Sequence, residues 1–238
     1  MVTTQGSAGE DWATYLASRQ QAAKDPRLQA FFQAFTARPG MTLEEAPLIA
    51  LDVETTGLDP RRHSIISIGV VPFDLDRIRF SQRRQWLLKP RFPLESHSVT
   101  LHHITHADLA HAPDLDEVLE DLLQAMAGRL PVVHYRSIER RFLESAIRFR
   151  LGESLVFPVI DTMALEARFH RQPLSARIRR WLGGGQLSLR LQDCRARYGL
   201  PGYSPHHAVI DALATAELLQ AQVAARLGRN ARVGELWC

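Results

Sequence analysis

Apolar residues recur every three or four positions between about residues 10 and 37, the spacing of helices with one buried face. Asp25 and Pro26 interrupt this stretch and predict two helices, with Asp25 capping the second. Several of the apolar positions are aromatic, and aromatic stripes more often pack in a core than bind a partner. We therefore expect a helical N-terminal extension packed on the main domain, with a partner-binding element as the alternative.

Polar turns separate three apolar runs in the middle of the chain, at residues 47–54, 64–73 and 82–88. Consecutive strands joined by short turns predict an antiparallel meander. Two shorter runs at 130–134 and 157–161 alternate with helical patterns, which is typical of parallel pairing. The predicted fold class is therefore α/β, a mixed sheet of three antiparallel strands and then two parallel strands, flanked by helices. These helices are predicted at residues 113–126, 137–149 and 163–169.

Two more helices are predicted toward the C-terminus. One covers residues 189–198. Ser204 followed by Pro205 is typical of a helix start, and this last helix should extend to about residue 227. Three regions are expected: an N-terminal extension over 1–45, a main domain over 46–228 and a C-terminal tail over 229–238.

The composition is that of an ordinary globular protein, with 45% hydrophobic and 23% charged residues among 238. The apolar runs look shorter than a membrane span, so no membrane partner is expected. The first residues lack the basic start and apolar core of a signal peptide, and we expect a cytoplasmic protein. Cys194 and Cys238 are too few for a disulfide framework or a cysteine-based zinc site.

The formal net charge is +3, and the sequence pI is about 9.2. Nearly every basic residue is Arg, which suits phosphate contacts, although codon bias explains the excess at least as well. Residues 168–197 hold eight arginines, with Asp193 as their only acid. This segment is either a flexible loop beside a phosphate backbone or a solvated surface.

Asp52 and Glu54 follow the apolar residues of the first predicted strand. Side chains alternate along a strand, so both carboxylates point to the same face. Two neighbouring carboxylates repel each other, and a hard divalent cation removes that cost. The alternative is a solvated strand end, which would need no partner.

Two other groups of residues are candidates for chemistry. His206 and Asp211 lie at the start of the last helix, where the His could accept a proton if the carboxylates hold a metal. Taken alone, such residues more often begin a helix. A second group is a cluster of histidines whose spacing matches no usual zinc pattern, so zinc is disfavoured. These histidines are His97, His102, His103, His106 and His111.

Three ordered motifs resemble the DEDDh family of 3′–5′ exonucleases, whose members include the proofreading subunit of bacterial DNA polymerase III and ribonuclease T. The motifs are Asp-x-Glu-Thr-Thr-Gly-Leu at 52–58, Val-Val-His-x₄-Glu-x₂-Phe-Leu at 132–143 and His-x₄-Asp at 206–211. Segments 101–105 and 160–162 are also similar to the family. The resemblance covers about residues 46–225 and implies a ribonuclease H-like fold.

The resemblance also implies a catalytic site that uses two divalent metal ions, Mg²⁺ or Mn²⁺. Asp52, Glu54 and Asp211 would hold one ion. Asp52, together with Glu139 directly or through water, would hold the second. His206 would be the general base in hydrolysis of the terminal phosphodiester, which releases a nucleoside 5′-monophosphate.

The implied partners are the 3′ ends of single-stranded DNA or RNA. Backbone at Thr56 and Gly57 could approach the 3′ end closely, because Gly carries no side chain. A homodimer is an option because some family members are dimers, and the sequence identifies no protein partner. The positions that match substrate-binding residues of the family are Thr55, Thr56, Gly57, Leu58 and His102.

Two residues depart from the family pattern. Glu139 stands where the family has Asp, and Tyr135 replaces a small polar residue near the site. The longer side chain of Glu139 would place its carboxylate differently, but no charge is lost. The resemblance therefore favours an active exonuclease, and the alternative is a catalytically weak or inactive nucleic-acid-binding module on the same fold.

Overall fold

A five-stranded mixed sheet forms the centre of the protein in the computed structural model, which describes residues 12–92, 104–170 and 187–238. The strands are β1 Leu48–Thr55, β2 Ile65–Phe73, β3 Arg84–Leu87, β4 Leu130–Val133 and β5 Ile160–Asp161. Their order across the sheet is β3-β2-β1-β4-β5. β1 pairs antiparallel with β2, and β2 with β3, whereas β1 pairs parallel with β4, and β4 with β5. The predicted mixed sheet is confirmed.

Helices flank this sheet. Asp25 accepts a hydrogen bond from the Arg27 backbone N–H, which confirms the predicted cap of the second helix. Gly152, in the left-handed conformation that favours glycine, ends the fifth. The helices are α1 Trp12–Ala22, α2 Pro26–Ala34, α3 His106–Leu109, α4 Leu115–Met126, α5 Arg136–Leu151, α6 Thr162–His170, α7 Leu191–Arg197 and α8 Ala208–Gln222.

The N-terminal helices pack on the rest of the protein through their aromatic face. Phe31 and Phe32 of α2 are buried in the main core. The Phe31 ring lies 5.8 Å from that of Phe157, with an edge-to-face geometry that favours aromatic pairs. This contact shows that the aromatic stripe is part of the core.

Helix α8 packs against β1 and β2. Small residues, including Ala208, Ala212 and Ala216, are buried on it and permit close approach to the sheet. The stretch Ala208–Leu227, which continues α8 as a π-helix over Val223–Leu227, is long and apolar enough to cross a membrane. The expectation that every apolar run is shorter than a span was therefore wrong, and burial against the sheet accounts for this composition.

Residues 229–238 pack back onto the domain. Val233 and Trp237 are buried. The backbone of Cys238 exchanges two hydrogen bonds with Val159, of 2.9 and 3.2 Å. The predicted strand at 157–161 is shortened to Ile160–Asp161, and the backbone of Val159 pairs with Cys238.

Candidate active site

Strand β1 carries the first two site residues. Asp52 lies opposite Gly69 of β2, and Glu54 lies opposite Ser67. Glu54 is buried and Asp52 is partly exposed. Because directly opposed residues in a sheet share a face, Asp52 points to the same side as the missing side chain of Gly69.

Gly69 allows α8 to approach that face. A Cβ atom at this position would lie 2.4 Å from backbone atoms of Ala208 and Val209, far inside van der Waals contact. The first turn of α8 therefore lies directly on β2 beside Asp52. Sequence reasoning missed Gly69, because its role depends on a contact between β2 and α8 that leaves no local signal.

This approach brings Asp211 to the strand. One carboxylate oxygen from each of Asp52, Glu54 and Asp211 lies within 4.8 Å of the others. Burial raises the pKa of Asp52 well above its usual value, and the charges of Glu54, Asp211 and Glu139 raise it further. Burial also raises the pKa of Asp211. The site thus concentrates negative charge where water solvates it poorly.

Glu139 lies in the first turn of α5 and is buried. It is outside the group formed by Asp52, Glu54 and Asp211, although its charge affects Asp52. Burial is the main cause that raises the pKa of Glu139 well above its usual value. Its Oε2 atom is buried and has no hydrogen-bond partner among the described residues. A buried carboxylate oxygen without a donor is costly, and a cation would satisfy it.

His206 precedes α8 and is exposed. Its backbone is left-handed, with φ of 69°, and its N–H donates to Oδ2 of Asp211 over 2.8 Å. The helix itself begins at Ala208, with His207 as its cap. The predicted helix start at Ser204 and Pro205 was therefore wrong, since the left-handed turn at His206 separates these residues from α8.

The loop after β1 is held by its own threonines. The Thr55 hydroxyl donates to the Gly57 carbonyl over 2.8 Å, and the Thr56 hydroxyl accepts from the Ser64 N–H over 2.9 Å. A Cβ on Gly57 would lie 2.5 Å from the His63 ring, so this glycine makes room for His63. The glycine therefore has a packing role beside His63, and the predicted close approach of a 3′ end stays a prediction.

Leu58, at the end of this loop, is 77% exposed. The predicted substrate-binding roles of Thr55, Thr56, Gly57 and Leu58 stay predictions. His102 lies outside the described residues.

An unusual backbone conformation joins β4 to α5. Tyr135 has φ of 90° and ψ of 66°, a left-handed geometry that costs a bulky residue about 1–3 kcal/mol. The buried carboxylate of Asp161 stabilises it by accepting from the backbone N–H groups of Tyr135 and Arg136, over 3.0 and 3.1 Å. His134 is bonded on both sides, to Thr162 and to the Leu189 carbonyl. Asp161 also caps α6, since it accepts a hydrogen bond from the backbone N–H of Met163 over 3.0 Å.

Divalent metal is the ligand that this donor set fits best. Among the described residues, Asp52, Glu54 and Asp211 are the only group of His, Cys, Asp or Glu side chains close enough to share one ion. Carboxylate oxygens are hard donors. Mg²⁺ and Mn²⁺ prefer such donors more strongly than zinc does. Three members of the histidine cluster, His97, His102 and His103, lie outside the described residues.

Comparison with known proteins identifies the family. Residues 49–219 match the family model RNase_T, described as exonuclease. The chain belongs to this family of DnaQ-like 3′–5′ exonucleases, which confirms the resemblance in the sequence.

Relatives and solved structures agree with this membership. The chain is 30% identical to DNA polymerase III PolC-type of Thermotoga petrophila and 29% identical to that of Bacillus subtilis, over 74% of its own length in both cases. It spans only 12% and 11% of those proteins.

Two solved structures share the fold. The nuclease domain of 3′hExo, a DEDDh family member bound to rAMP, has a TM-score of 0.63 at 17% identity, over 78% of this chain and 94% of that one. Exonuclease X in complex with 5′ overhanging duplex DNA has a TM-score of 0.57 at 22% identity, over 78% and 96% of the two chains.

Proposed function

We propose that this protein is a metal-dependent 3′–5′ exonuclease that releases nucleoside 5′-monophosphates from single-stranded DNA or RNA. The observation that supports this most directly is the approach of Asp52, Glu54 and Asp211 within 4.8 Å, in a chain of an exonuclease family. An arrangement of this kind is unfavourable for stability unless cations neutralise it.

The residues fit two divalent metals. Asp52, Glu54 and Asp211 would hold one, and Asp52 with Glu139 would hold the other. Such ions, when bound, polarise the phosphodiester and stabilise the charge that develops on it. The unpartnered Oε2 of Glu139 supports its part in this set.

His206 is the proposed general base. It is exposed directly before α8, and histidine is the side chain that most often serves as a general base. A ring nitrogen of His206 would take the proton from the attacking water. The N–H of the same residue donates to Asp211, so the left-handed turn holds His206 and a metal ligand in one unit.

The proposal includes both RNA and DNA as substrates, since one structural neighbour is bound to rAMP and another to duplex DNA. The excess of basic residues suits either nucleic acid. A cytoplasmic location and a homodimer remain part of the proposal and rest on the sequence alone.

The test is release of mononucleotides from 3′-labelled and 5′-labelled single-stranded DNA and RNA, in Mg²⁺, Mn²⁺ or EDTA. A metal-dependent ladder that shortens from the 3′ end is expected, and Asp52→Asn should not produce it. Equal cleavage by wild type and Asp52→Asn would contradict the proposed site.

A second candidate function is nucleic-acid binding without efficient catalysis. Glu139 favours it, because this residue is separate from the group of three carboxylates. A folded protein that binds the strands, binds no Mn²⁺ and cleaves nothing would establish this function instead.

A further inference from the structure

Tyr135 is an exposed aromatic residue beside the proposed site. Its side chain is 46% exposed, and it is one of three large apolar side chains that the described residues present to solvent. It follows β4, which pairs in parallel with β1 through Ala50 and Val132. Extended by two residues, this register places His134, which directly follows β4, level with Asp52 on the neighbouring strand. The ring is therefore attached at the carboxyl edge of the sheet, where the carboxylates meet.

The backbone holds Tyr135 in place against its own preference. The left-handed conformation suits Gly or Asn much better than a residue with a large side chain. Two backbone N–H groups of the turn donate hydrogen bonds to Asp161 and stabilise it. The preceding residue, His134, is hydrogen-bonded to Thr162 and Leu189. Strained conformations of this kind are concentrated at functional sites, so a large exposed ring here needs a reason.

From these observations we infer that Tyr135 stacks on a nucleobase at the 3′ end of the substrate, an inference that rests on the proposed function. The phosphate that the carboxylates would bind joins the last two nucleosides. A side chain at the same edge of the sheet can therefore reach the terminal or the penultimate base. Every base has a flat π-face, so an aromatic side chain at this position binds the end of a strand without reading its sequence.

The ring and the hydroxyl can be separated by substitution. Tyr135→Asn removes the ring and keeps a residue that tolerates the left-handed backbone, whereas Tyr135→Phe keeps the ring. Phe149→Ala is the matched control, because Phe149 is 58% exposed on α5, the helix that follows Tyr135. It lies 14 residues further along, about 20 Å away at the helical rise.

The primary measurement is fluorescence of 2-aminopurine in single-stranded oligonucleotides, placed at the last or the penultimate position, with Ca²⁺ to permit binding. Wild type and Phe149→Ala should quench the fluorescence of one of the two probes, and Tyr135→Phe should quench the same probe. Tyr135→Asn should lose the quenching and bind about tenfold more weakly, the effect expected for loss of one stacking contact. Unchanged quenching and affinity in Tyr135→Asn would overturn the inference.

A second measurement distinguishes this inference from the proposed function. In cleavage assays, Tyr135→Asn should raise KM for a normal 3′ end but not for a strand that ends in an abasic nucleotide. Cleavage by wild type with no such difference would overturn the stacking role and leave the exonuclease intact. Quenching that depends on Tyr135 without any cleavage would support stacking and contradict the exonuclease. Failure of wild type to bind any strand would contradict both.

Discussion

At the scale of single residues, the cluster of acidic side chains around Asp52 lowers the stability of the metal-free protein but allows the protein to bind a metal. Asp52 is surrounded by three other acids, and both burial and their charges disfavour its ionised form. Replacement by Asn keeps the shape and removes one charge. The same change deletes a donor that a metal needs. Stability without metal and affinity for metal should therefore move in opposite directions.

Asp52→Asn should unfold at a higher temperature than wild type in EDTA, by a stability gain of about 1–2 kcal/mol. In Mn²⁺ the order should reverse, because only wild type gains stability from the bound ion. Thermal unfolding of both proteins in the two buffers measures this. An Asn variant that is less stable in EDTA and responds to Mn²⁺ like wild type would show that Asp52 is not in a metal site.

Glu139→Asp should leave nuclease activity equal to wild type or raise it, because Asp is the residue that the family has here. The carboxylate of Glu139 stands apart from the other three and has an unpartnered oxygen. Measured kcat for single-stranded substrates tests this, with Glu139→Gln as the variant that loses the charge and most of the activity. A large loss in Glu139→Asp would mean that the site is built for the longer side chain.

At the scale of elements, the site depends on how closely α8 lies on the sheet. Gly69→Ala introduces a Cβ that overlaps backbone atoms of Ala208 and Val209, so the start of α8 must move away. A displacement of about 1 Å can lower activity by roughly 10²-fold. We expect that loss, together with weaker Mn²⁺ binding measured by calorimetry.

Gly202→Ala is the matched control for Gly69→Ala. A Cβ at Gly202 meets no atom within 4 Å, and this variant should behave like wild type. Normal Mn²⁺ affinity in Gly69→Ala would mean that the contact with α8 does not position Asp211.

Glu166 of α6 links this helix to α7 and α8. Its buried carboxylate accepts from Tyr198, Arg197 and Gln222 over 2.6, 2.7 and 3.0 Å. Burial alone would raise the pKa of Glu166, but these hydrogen bonds outweigh burial and lower it. A carboxyl whose pKa is lowered by folding stabilises the protein above its unfolded pKa, and this contribution disappears as the pH falls through the folded pKa.

Glu166→Gln should therefore destabilise the protein by about 1–3 kcal/mol at pH 7. The difference from wild type should shrink as the pH falls below about 4, because the unfolded carboxyl becomes protonated there while the folded carboxyl, whose pKa is lower, stays ionised until the pH falls further. Urea unfolding across this range provides the measurement. A destabilisation that is independent of pH would indicate that shape, and not charge, is what Glu166 contributes.

At the scale of the whole molecule, the features predicted from sequence are those with local patterns. The alternation of apolar runs predicted the mixed sheet, and the spacing of Asp52 and Glu54 predicted that they share a face. The features that were missed depend on contacts between distant segments. Gly69 matters because of Ala208, and the turn at Tyr135 is stabilised by Asp161.

The C-terminal segment, residues 229–238, also depends on contacts with distant parts of the chain. The sequence predicted only a tail there. Val233 and Trp237 are buried, and the backbone of Leu43 donates to the Ala231 carbonyl over 2.9 Å. An isolated bridge also joins Ile160 of β5 to Trp237. This segment thus links the edge of the sheet to the residues that precede β1.

Trp237→Ala should lower the free energy of unfolding by about 3–5 kcal/mol, as for other large buried aromatic residues. Trp237→Phe is the informative control, because the indole N–H has no hydrogen-bond partner among the described residues. Replacing one aromatic ring by another should cost less than about 1.5 kcal/mol. Equilibrium unfolding in urea tests both variants. If Trp237→Ala is as stable as wild type, burial of the Trp237 side chain adds nothing to the free energy of unfolding. The segment would then pack on the domain without stabilising it.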